Sequence, residues 1–251
     1  MGQRLIALGS GHPEFQLVGA IEHALHPKLG TDAGLMAGIG PIGLAFSADF
    51  PERPDVVIDF SVPQAAEAIA LRCVDAGIPL VVATTGLSTP QQEALRAAGE
   101  KIPLVWAPSM SLAVNLSMKL CQVAGKTLKN HASGVDVEII ERHHRFKEDA
   151  PSGTALKFGQ VIAETMGQST HVHGREGRPG PRPPGEIAYH AVRVGDNPGE
   201  HTIIFGMLGE TIELRVAATN RDCYAHGALA AARFLVGQKP GLYGMEDVLG
   251  L

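Results

Sequence analysis

Residues 141–155 read ERHHRFKEDAPSGTA and place two histidines, two arginines and one lysine beside the start of a helix. The residues before them, 135–141, alternate apolar and acidic side chains, and this period of two predicts a half-buried β-strand. Pro151 and Ser152 predict an N-cap and a first helical turn directly after the basic loop. A helix N-terminus offers free backbone N–H groups and the positive end of the helix dipole, so this junction is suited to binding a phosphate or a carboxylate.

Three side chains of this junction, His143, His144 and Lys147, supply positive charge and titratable protons. The alternative is a solvated surface loop, because basic clusters in loops are commonly exposed. A strand, a basic loop, an N-cap and a helix in immediate succession favour a ligand site, since α/β proteins build such sites in this way. We predict no metal centre, because adjacent histidines of a strand point in different directions and no cysteine or carboxylate spacing accompanies them.

The first half of the chain alternates short apolar runs with helical stretches over 64–76 and 90–98. The apolar runs have the length and the flanking residues typical of buried parallel strands: 17–21, 56–60, 80–83 and 104–107. This order predicts an α/β fold with a Rossmann-like doubly wound parallel sheet, which binds its ligand beyond the carboxyl ends of the strands. The segments that follow three of the strands either make tight turns or line a cofactor groove: Phe60-Ser61, Thr84-Thr85-Gly86 and Ser109-Met110.

From about residue 114 the pattern changes to that of a second, α+β domain. An amphipathic helix over 114–128 precedes the strand, and residues 174–185 are so rich in Gly, Pro and Arg that they predict a loop. Three alternating segments follow, the last two joined as a hairpin by Leu208-Gly209-Glu210: 187–194, 201–207 and 211–218. We expect an open mixed or antiparallel sheet that carries the basic junction. The domains are predicted at 1–113, with 223–251 packing back on it, and at 114–222.

Composition excludes several classes of protein. The 251 residues suffice for one large or two ordinary domains, and a formal charge of -5 with a pI near 6.1 disfavours non-specific nucleic-acid binding. Cys73, Cys121 and Cys223 are too scattered for a disulfide framework or a zinc cluster, so we expect reduced thiols and a cytoplasmic protein. No apolar run has membrane-spanning length, and the start lacks a basic segment followed by an apolar one, so neither membrane anchoring nor secretion is predicted.

The run from His143 to Ala155 closely resembles the signature of the 4-hydroxy-tetrahydrodipicolinate reductase family, also called dihydrodipicolinate reductases. The resemblance covers essentially the whole chain and continues through five further segments: Asp59-Phe60-Ser61, Ala83-Thr84-Thr85-Gly86, Ala107-Pro108-Ser109-Met110-Ser111, Gly199-Glu200-His201-Thr202 and Lys239-Pro240-Gly241-Leu242-Tyr243. It implies reduction of a cyclic dicarboxylate, 4-hydroxy-tetrahydrodipicolinate, to tetrahydrodipicolinate by NADPH or NADH in the diaminopimelate route to lysine. It also implies a homotetramer.

The resemblance implies roles for individual residues. His143 is expected to act as the acid/base or charge-stabilising residue, and Lys147 as the proton donor. His144, Gly153 and Thr154 are expected to hold a substrate carboxylate, the last two through backbone N–H groups. The expected cofactor-binding residues are Gly2, Glu22, Ala83, Thr84, Thr85, Ala107, Pro108, Ser109 and Met110.

The start of the chain departs from the family pattern, in which a strand leads into Gly-x-x-Gly-x-Met-Gly and then a helix. Only the final pair, Met1-Gly2, stands here, followed by a predicted helix over 3–8 and by Glu22 at the place of the acid that holds the adenine ribose. Either translation begins upstream of Met1, which we favour, or the first strand and the phosphate loop are lost. For the chain as written we expect weak cofactor binding.

Two further questions stay open at this point. The choice between NADPH and NADH is one, because Ala83 replaces a common Gly and His23 stands where some relatives carry an Arg suited to a 2′-phosphate. The other is the activity itself. Another two-domain nicotinamide dehydrogenase would need a catalytic Cys or a different basic pattern, and a non-catalytic relative that binds an acidic metabolite is suggested by the missing phosphate loop.

Overall fold

A computed structural model describes residues 1–251, the whole chain. The chain forms two compact units, one of Met1–Leu112 with Asp222–Leu251 and one of Ala113–Arg221. The helices are α1 Gly2–Gly9, α2 Ala33–Ala37, α3 Pro63–Ala76, α4 Thr89–Gly99, α5 Leu112–Leu128, α6 Gly153–Met166, α7 Asp222–Leu235 and α8 Met245–Leu249. The strands are β1 Ala20–Ile21, β2 Phe46–Ser47, β3 Val57–Asp59, β4 Leu80–Val82, β5 Pro103–Trp106, β6 Asp136–His143, β7 Thr170–His173, β8 Glu186–Arg193, β9 Glu200–Met207, β10 Glu210–Ala217 and β11 Gly241–Tyr243.

The first unit is built on a sheet in the order β11-β5-β4-β3, in which every neighbouring pair is parallel. Successive residues of β4 point to opposite faces, so Leu80 and Val82 pack with α3 and α4 while Val81 packs with α1 and α7. Helices therefore cover both faces, and the doubly wound Rossmann-like fold is confirmed. The bounds of β3, β4, β5, α3 and α4 agree with the sequence prediction to within one residue.

The parallel strands of the first unit fall into two separate sheets. The apolar run at 17–21 forms only the two-residue strand β1, which pairs in parallel with β2 in a separate two-stranded sheet. The expectation of a full buried strand at 17–21 is therefore wrong. The reason is that β1 has a partner on one side alone, and β3 likewise has no strand of the chain on its free side.

The second unit contains a five-stranded mixed sheet in the order β10-β9-β6-β8-β7, which confirms the expected α+β architecture. The central strand β6 is antiparallel to β9 and parallel to β8. Helices α5 and α6 pack on one face, where Cys121 and Phe158 contact a core formed by inward-pointing strand residues such as Ile139. The edge strand β7 was not predicted, because its four residues, Thr-His-Val-His, are mostly exposed and carry no apolar alternation.

Two connections of the second unit follow the sequence prediction closely. Strands β9 and β10 form a hairpin in which Met207 pairs with Glu210, so that Leu208 and Gly209 make the turn. Gly209 has a φ of +92°, a conformation that glycine adopts without a steric penalty. Residues 174–185 form a loop without helix or strand, as expected. None of the helices combines the length and the apolar character that crossing a membrane would require.

Helix α7 approaches the segment after β5 very closely. A Cβ atom added at Gly227 would lie 1.6 Å from the backbone oxygen of Met110, so only glycine allows this approach. Met110 is itself buried in the core that α7 shares with β4 and β5. This contact therefore fixes the position of the 107–110 segment at the carboxyl end of β5.

Candidate active site

Strand β6 determines which side chains of the basic junction are buried. Its alternation places Val137, Ile139, Glu141 and His143 on the face covered by α5 and α6. The side chain of Glu141 is fully buried, and the residue His143 is 8% exposed. The alternation that makes the strand half-buried thus continues to its end, but it buries a carboxylate and an imidazole there instead of apolar groups.

The carboxylate of Glu141 accepts four hydrogen bonds. Its Oε2 lies 2.5 Å from Nδ1 of His143 and 2.7 Å from Nη1 of Arg193. Its Oε1 accepts from the backbone N–H of Ser152 at 3.0 Å and from Nη2 of Arg193 at 2.7 Å. Burial alone would raise the pKa of Glu141, but the hydrogen bonds outweigh burial and lower its pKa below the ordinary value. Glu141 is therefore an ionised carboxylate that can only accept hydrogen bonds.

The surroundings of His143 favour the neutral form of its imidazole. Burial lowers its pKa below 6.5, and the charges of Lys147 and Arg193 add to this effect, although Glu141 acts in the opposite direction. Because Glu141 is an acceptor, Nδ1 of His143 carries the proton and donates it. The other nitrogen, Nε2, then presents a lone pair, and it lies beside Gly199.

The N-terminus of α6 meets this buried group through Ser152. The Ser152 hydroxyl accepts from the backbone N–H of Ala155 at 3.2 Å, which confirms the predicted N-cap, and it lies 3.0 Å from Nε2 of His201. Gly153 and Thr154 are the first two residues of the helix, and N–H groups in a first turn have no partner within the helix. These amides belong to a helix end that the buried Glu141 holds in place.

Lys147 and His144 lie in the loop between β6 and α6. The ammonium group of Lys147 is 2.7 Å from Oδ1 of Asp149, and this hydrogen bond lowers the pKa of Asp149. The backbone N–H of His144 donates to the carbonyl oxygen of Asn197, which ties the loop to the 195–199 turn. Nδ1 of His144 is buried and has no hydrogen-bond partner. A buried polar atom without a partner is rare, so this nitrogen marks the ring of His144 as a candidate ligand contact.

Seven of the predicted cofactor residues follow the carboxyl ends of β4 and β5, and they differ in their exposure to solvent. Four of them are buried and form the floor: Ala83, Thr84, Ala107 and Met110. Thr85 and Pro108 are exposed, and Ser109 is half-buried. The Thr84 hydroxyl donates to the buried carboxylate of Asp59 at 2.8 Å, so this side chain joins the ends of β3 and β4 and does not face solvent. Thr85, Pro108 and Ser109 are therefore the predicted cofactor residues at these strand ends that are accessible from solvent.

The two remaining predicted cofactor residues lie near α1 and β1. Gly2 begins α1, and a Cβ atom there would meet nothing within 4 Å, so the helix start is open. Glu22 directly follows β1, is half-buried, and its backbone N–H donates to the carbonyl oxygen of Ser47. The structure therefore places Glu22 at a strand end, where a carboxylate can meet the hydroxyl groups of a ribose.

Sequence reasoning missed three residues of this site: Glu141, Arg193 and His201. Glu141 could have been found, because it stands two residues before His143 on a strand and so must share its face. Arg193 reaches the site because β8 pairs with β6 in a register that sets Arg193 opposite His143. His201 reaches the site because it lies on β9, where it is paired with Glu141 of β6. No local pattern reveals these two long-range pairings.

Comparison with known proteins matches both halves of the chain to the same protein family. The family model described as dihydrodipicolinate reductase, N-terminus, matches residues 1–110, and the model described as dihydrodipicolinate reductase, C-terminus, matches residues 113–249. The chain belongs to the dihydrodipicolinate reductase family. The resemblance seen in the 143–155 signature is thereby confirmed.

Individual members of the dihydrodipicolinate reductase family match over the full chain. A 4-hydroxy-tetrahydrodipicolinate reductase of Rhodopirellula baltica is 61% identical over 259 aligned residues, covering 100% of this chain and 92% of the relative. The enzyme of the same name from Alkalilimnicola ehrlichii is 44% identical, covering 100% and 95%. The solved dipicolinate-bound dihydrodipicolinate reductase of Paenisporosarcina sp. TG-14 has a TM-score of 0.76 at 24% identity, covering 98% and 94%, and so shares the fold. These relatives are reductases, which favours an enzyme over a non-catalytic binding protein.

We expect His201 to make the stability of this family member depend on pH. Burial lowers the pKa of His201 from 6.5 to about 4, and the neighbouring His143 adds to the shift. The unfolded chain therefore binds a proton at His201 before the folded chain does, so stability is lost as the pH falls below about 6.5. We expect His201 alone to lower the free energy of unfolding by about 2 kcal/mol between pH 6.5 and pH 5. Urea unfolding at both pH values should show this loss, and His201→Gln should reduce it; an equal loss in the variant would contradict the prediction.

Gly199 sets the space available to His143. A Cβ atom at Gly199 would lie 2.8 Å from Nε2 of His143, and the φ of Gly199 is +151°. We expect Gly199→Ala to displace the imidazole and to lower kcat by about 10-fold or more, since small misplacements of reacting groups are costly. Gly195→Ala in the same turn is the matched control, because its φ of +56° is also unfavourable for alanine but its Cβ would meet nothing within 4 Å. Equal kcat values for the two variants would show that the contact with His143 is unimportant.

Proposed function

We propose that this protein reduces 4-hydroxy-tetrahydrodipicolinate to tetrahydrodipicolinate with NADPH or NADH, in the diaminopimelate route to lysine. The observation that carries the proposal is the junction of β6 and α6, where a buried Glu141–His143 pair adjoins a capped helix N-terminus and a lysine-bearing loop. Relatives with 61% and 44% identity over the whole chain carry the name of this activity. A basic junction of this kind suits an acidic substrate that must be protonated.

The substrate carboxylate is held, in this proposal, by the backbone N–H groups of Gly153 and Thr154 and by the ring of His144. The first-turn amides and the positive end of the α6 dipole favour an anion. The buried, unpaired Nδ1 of His144 supplies one more hydrogen-bonding position. The related reductase of Paenisporosarcina binds dipicolinate, which is a planar cyclic dicarboxylate. The substrate class is therefore a cyclic dicarboxylate.

The proton comes from Lys147 and not from His143. The 4-hydroxyl group of the substrate must leave as water, hydride addition then leaves negative charge on the ring, and a nearby acid must neutralise it. Burial lowers the pKa of His143 and so favours its neutral form, which is a poor proton donor. The lone pair of its Nε2 instead accepts a hydrogen bond that orients the substrate or the proton being transferred. The ammonium group of Lys147 donates that proton. Asp149 keeps that ammonium group oriented until substrate arrives.

Reductases of this family use NADPH or NADH, and the bound nicotinamide supplies the hydride. In this chain Thr85, Pro108 and Ser109 would hold it at the rim of the strand ends, above the buried Ala83, Thr84, Ala107 and Met110. Glu22 would bind the adenine ribose, and Gly2 would stand at the helix start that faces the phosphates. The unit of Met1–Leu112 with Asp222–Leu251 is thus assigned to the dinucleotide, and Ala113–Arg221 to substrate and assembly.

We further propose a cytoplasmic homotetramer that assembles through the sheet of the second unit. Helices α5 and α6 cover only one face of this sheet, and on the other face Ile140 and Val192 are 38% and 41% exposed. On the same face Glu138 and Arg142 flank Ile140, and a patch that combines apolar and charged side chains in this way is compatible with a protein interface. Cys73 and Cys121 are buried and unpaired, which is in keeping with a reducing compartment.

The test is the oxidation of NADPH or NADH by the purified chain with substrate made freshly by the preceding synthase. We expect the cofactor to be oxidised only when both the synthase product and this chain are present. Mass spectrometry should identify the product as tetrahydrodipicolinate. Dipicolinate should inhibit it competitively. Binding of dipicolinate without any turnover would instead support the non-catalytic alternative.

A further inference from the structure

Glu141 is hydrogen-bonded to three residues in or next to the proposed site. Its two oxygens accept from the ring of His143, from the N-cap residue Ser152 and from both terminal nitrogens of Arg193. An ionised carboxylate has about four acceptor positions, and all four are occupied here. A fully buried group with no position left for solvent or ligand cannot act on substrate itself. Its effect must pass through its partners.

Arg193 extends this connection to the lysine-bearing loop. Its Nη2 donates both to Glu141 and to the carbonyl oxygen of Asp149, the latter at 2.6 Å. Asp149 in turn holds the ammonium group of Lys147. The planar guanidinium fork is suited to such paired contacts, because it holds two oxygens at fixed geometry, whereas a lysine would contact only one at a time. Arg193 thus links the buried carboxylate to the residue proposed as proton donor.

We infer that Glu141 and Arg193 are a positioning pair. The pair fixes the tautomer of His143 and sets its ring, the N-terminus of α6 and the Lys147 loop in one arrangement. The inference rests on the proposed function and adds two residues to it. Neither residue touches substrate. Glu141 requires Nδ1 of His143 to carry the proton, so Nε2 is always the free nitrogen beside Gly199.

Glu138 offers a matched control on the same strand. It also accepts from a histidine and from arginines, namely His190, Arg175 and Arg182. Its side chain lies on the opposite face of the sheet, is 21% exposed, and contacts none of the residues of the proposed site. A Glu138→Gln variant therefore removes a comparable ionic cluster from β6 without changing the surroundings of His143.

The direct test is the ¹⁵N NMR spectrum of the imidazole of His143 in the full chain, since protonated and unprotonated ring nitrogens resonate far apart. In the wild type we expect a protonated Nδ1 and an unprotonated Nε2 near pH 7. Glu141→Gln should mix the two tautomers, and Glu138→Gln should leave the spectrum unchanged. A protonated Nε2 in the wild type would overturn the inference, as would an unchanged spectrum in Glu141→Gln. This measurement needs no turnover, so it stands apart from the test of the reductase activity.

Kinetics provides the second readout. We expect Glu141→Gln and Arg193→Lys to lower kcat by about 10²-fold, with smaller changes in the KM for the cofactor. The charged and titratable groups that act on His143 are Glu141, Lys147, Arg193 and His201. Because Glu141 raises the pKa of His143, Glu141→Gln should move the acidic limb of the kcat/KM profile to lower pH.

Two outcomes would separate positioning from a purely structural role. Removing one member of a buried pair can prevent folding, and Arg193→Lys then decides the matter, since it retains a positive charge. Loss of stability with kcat and the pH profile unchanged in the folded variants would overturn the inference. If the wild type shows the expected tautomer but no reductase activity, the proposed function is refuted and the inferred arrangement of His143 still holds.

Discussion

Lys147→Ala should lower kcat by about 10²- to 10⁴-fold, the range that a positioned general acid contributes. We propose this ammonium group as the proton donor, because burial favours the neutral form of His143. Cofactor affinity should stay close to that of the wild type, since the predicted cofactor residues lie in the first unit. Steady-state oxidation of NADPH or NADH measures kcat, and fluorescence titration measures cofactor affinity.

Lys157→Ala is the control for the loss of a lysine. Lys157 lies on α6, four residues beyond Gly153, and its ammonium group contacts only the side-chain oxygen of Gln160. We expect this variant to keep the wild-type kcat. His143→Gln should lower kcat as well, and the double variant of His143 and Lys147 should cost less than the product of the two single effects, because the residues act as a unit. Wild-type turnover by both single variants would refute the assigned roles.

Gly227→Ala should destabilise the first unit by about 3 kcal/mol or more, at the upper end of the cost of overpacking a core. The added Cβ atom would lie 1.6 Å from the backbone oxygen of Met110, and a backbone atom cannot rotate away as the end of a side chain can. Either α7 or the 107–110 segment must shift, and both belong to one buried core. Guanidinium unfolding followed by tryptophan fluorescence reports this unit, because Trp106 on β5 is the only tryptophan of the chain.

Gly2→Ala is the matched control for this substitution. Gly2 is also helical and also belongs to the first unit, but its Cβ would meet nothing within 4 Å. Alanine is favoured over glycine in helices, so we expect no loss of stability from Gly2→Ala. If both variants unfolded at the wild-type guanidinium concentration, the close approach of α7 to Met110 would not exist in solution.

A local sequence pattern predicts well the helices and strands that have one buried and one exposed face. The apolar period of two in β6, and the Pro151-Ser152 start of α6, were both evident from the sequence because each reflects a local steric or hydrogen-bonding preference. The edge strand β7 was not evident, since its residues bury no face and gain their pairing only from β8. The short strand β1 was overestimated, because an apolar run does not reveal how many neighbours a strand will have.

The candidate site divides in the same way. His143, His144 and Lys147 stand in one local signature and were found from it. Glu141 stands two residues before His143, yet it was interpreted only as part of the strand, because burial of a carboxylate is unusual until its partners are known. Those partners include Arg193, which is 52 residues away in the chain and is brought close by the pairing of β8 with β6. Long-range register is a property of the whole sheet, and no short motif encodes it.

A titration of the ¹⁵N-labelled chain with dipicolinate in the presence of NADPH tests most directly whether the junction of β6 and α6 binds the substrate. We expect the largest chemical-shift changes at the backbone amides of Gly153 and Thr154 and at the ring of His144, because this junction holds the carboxylates. Largest changes at the other end of the same sheet, around Gly134 and the 174–185 loop, with the junction unaffected, would contradict it.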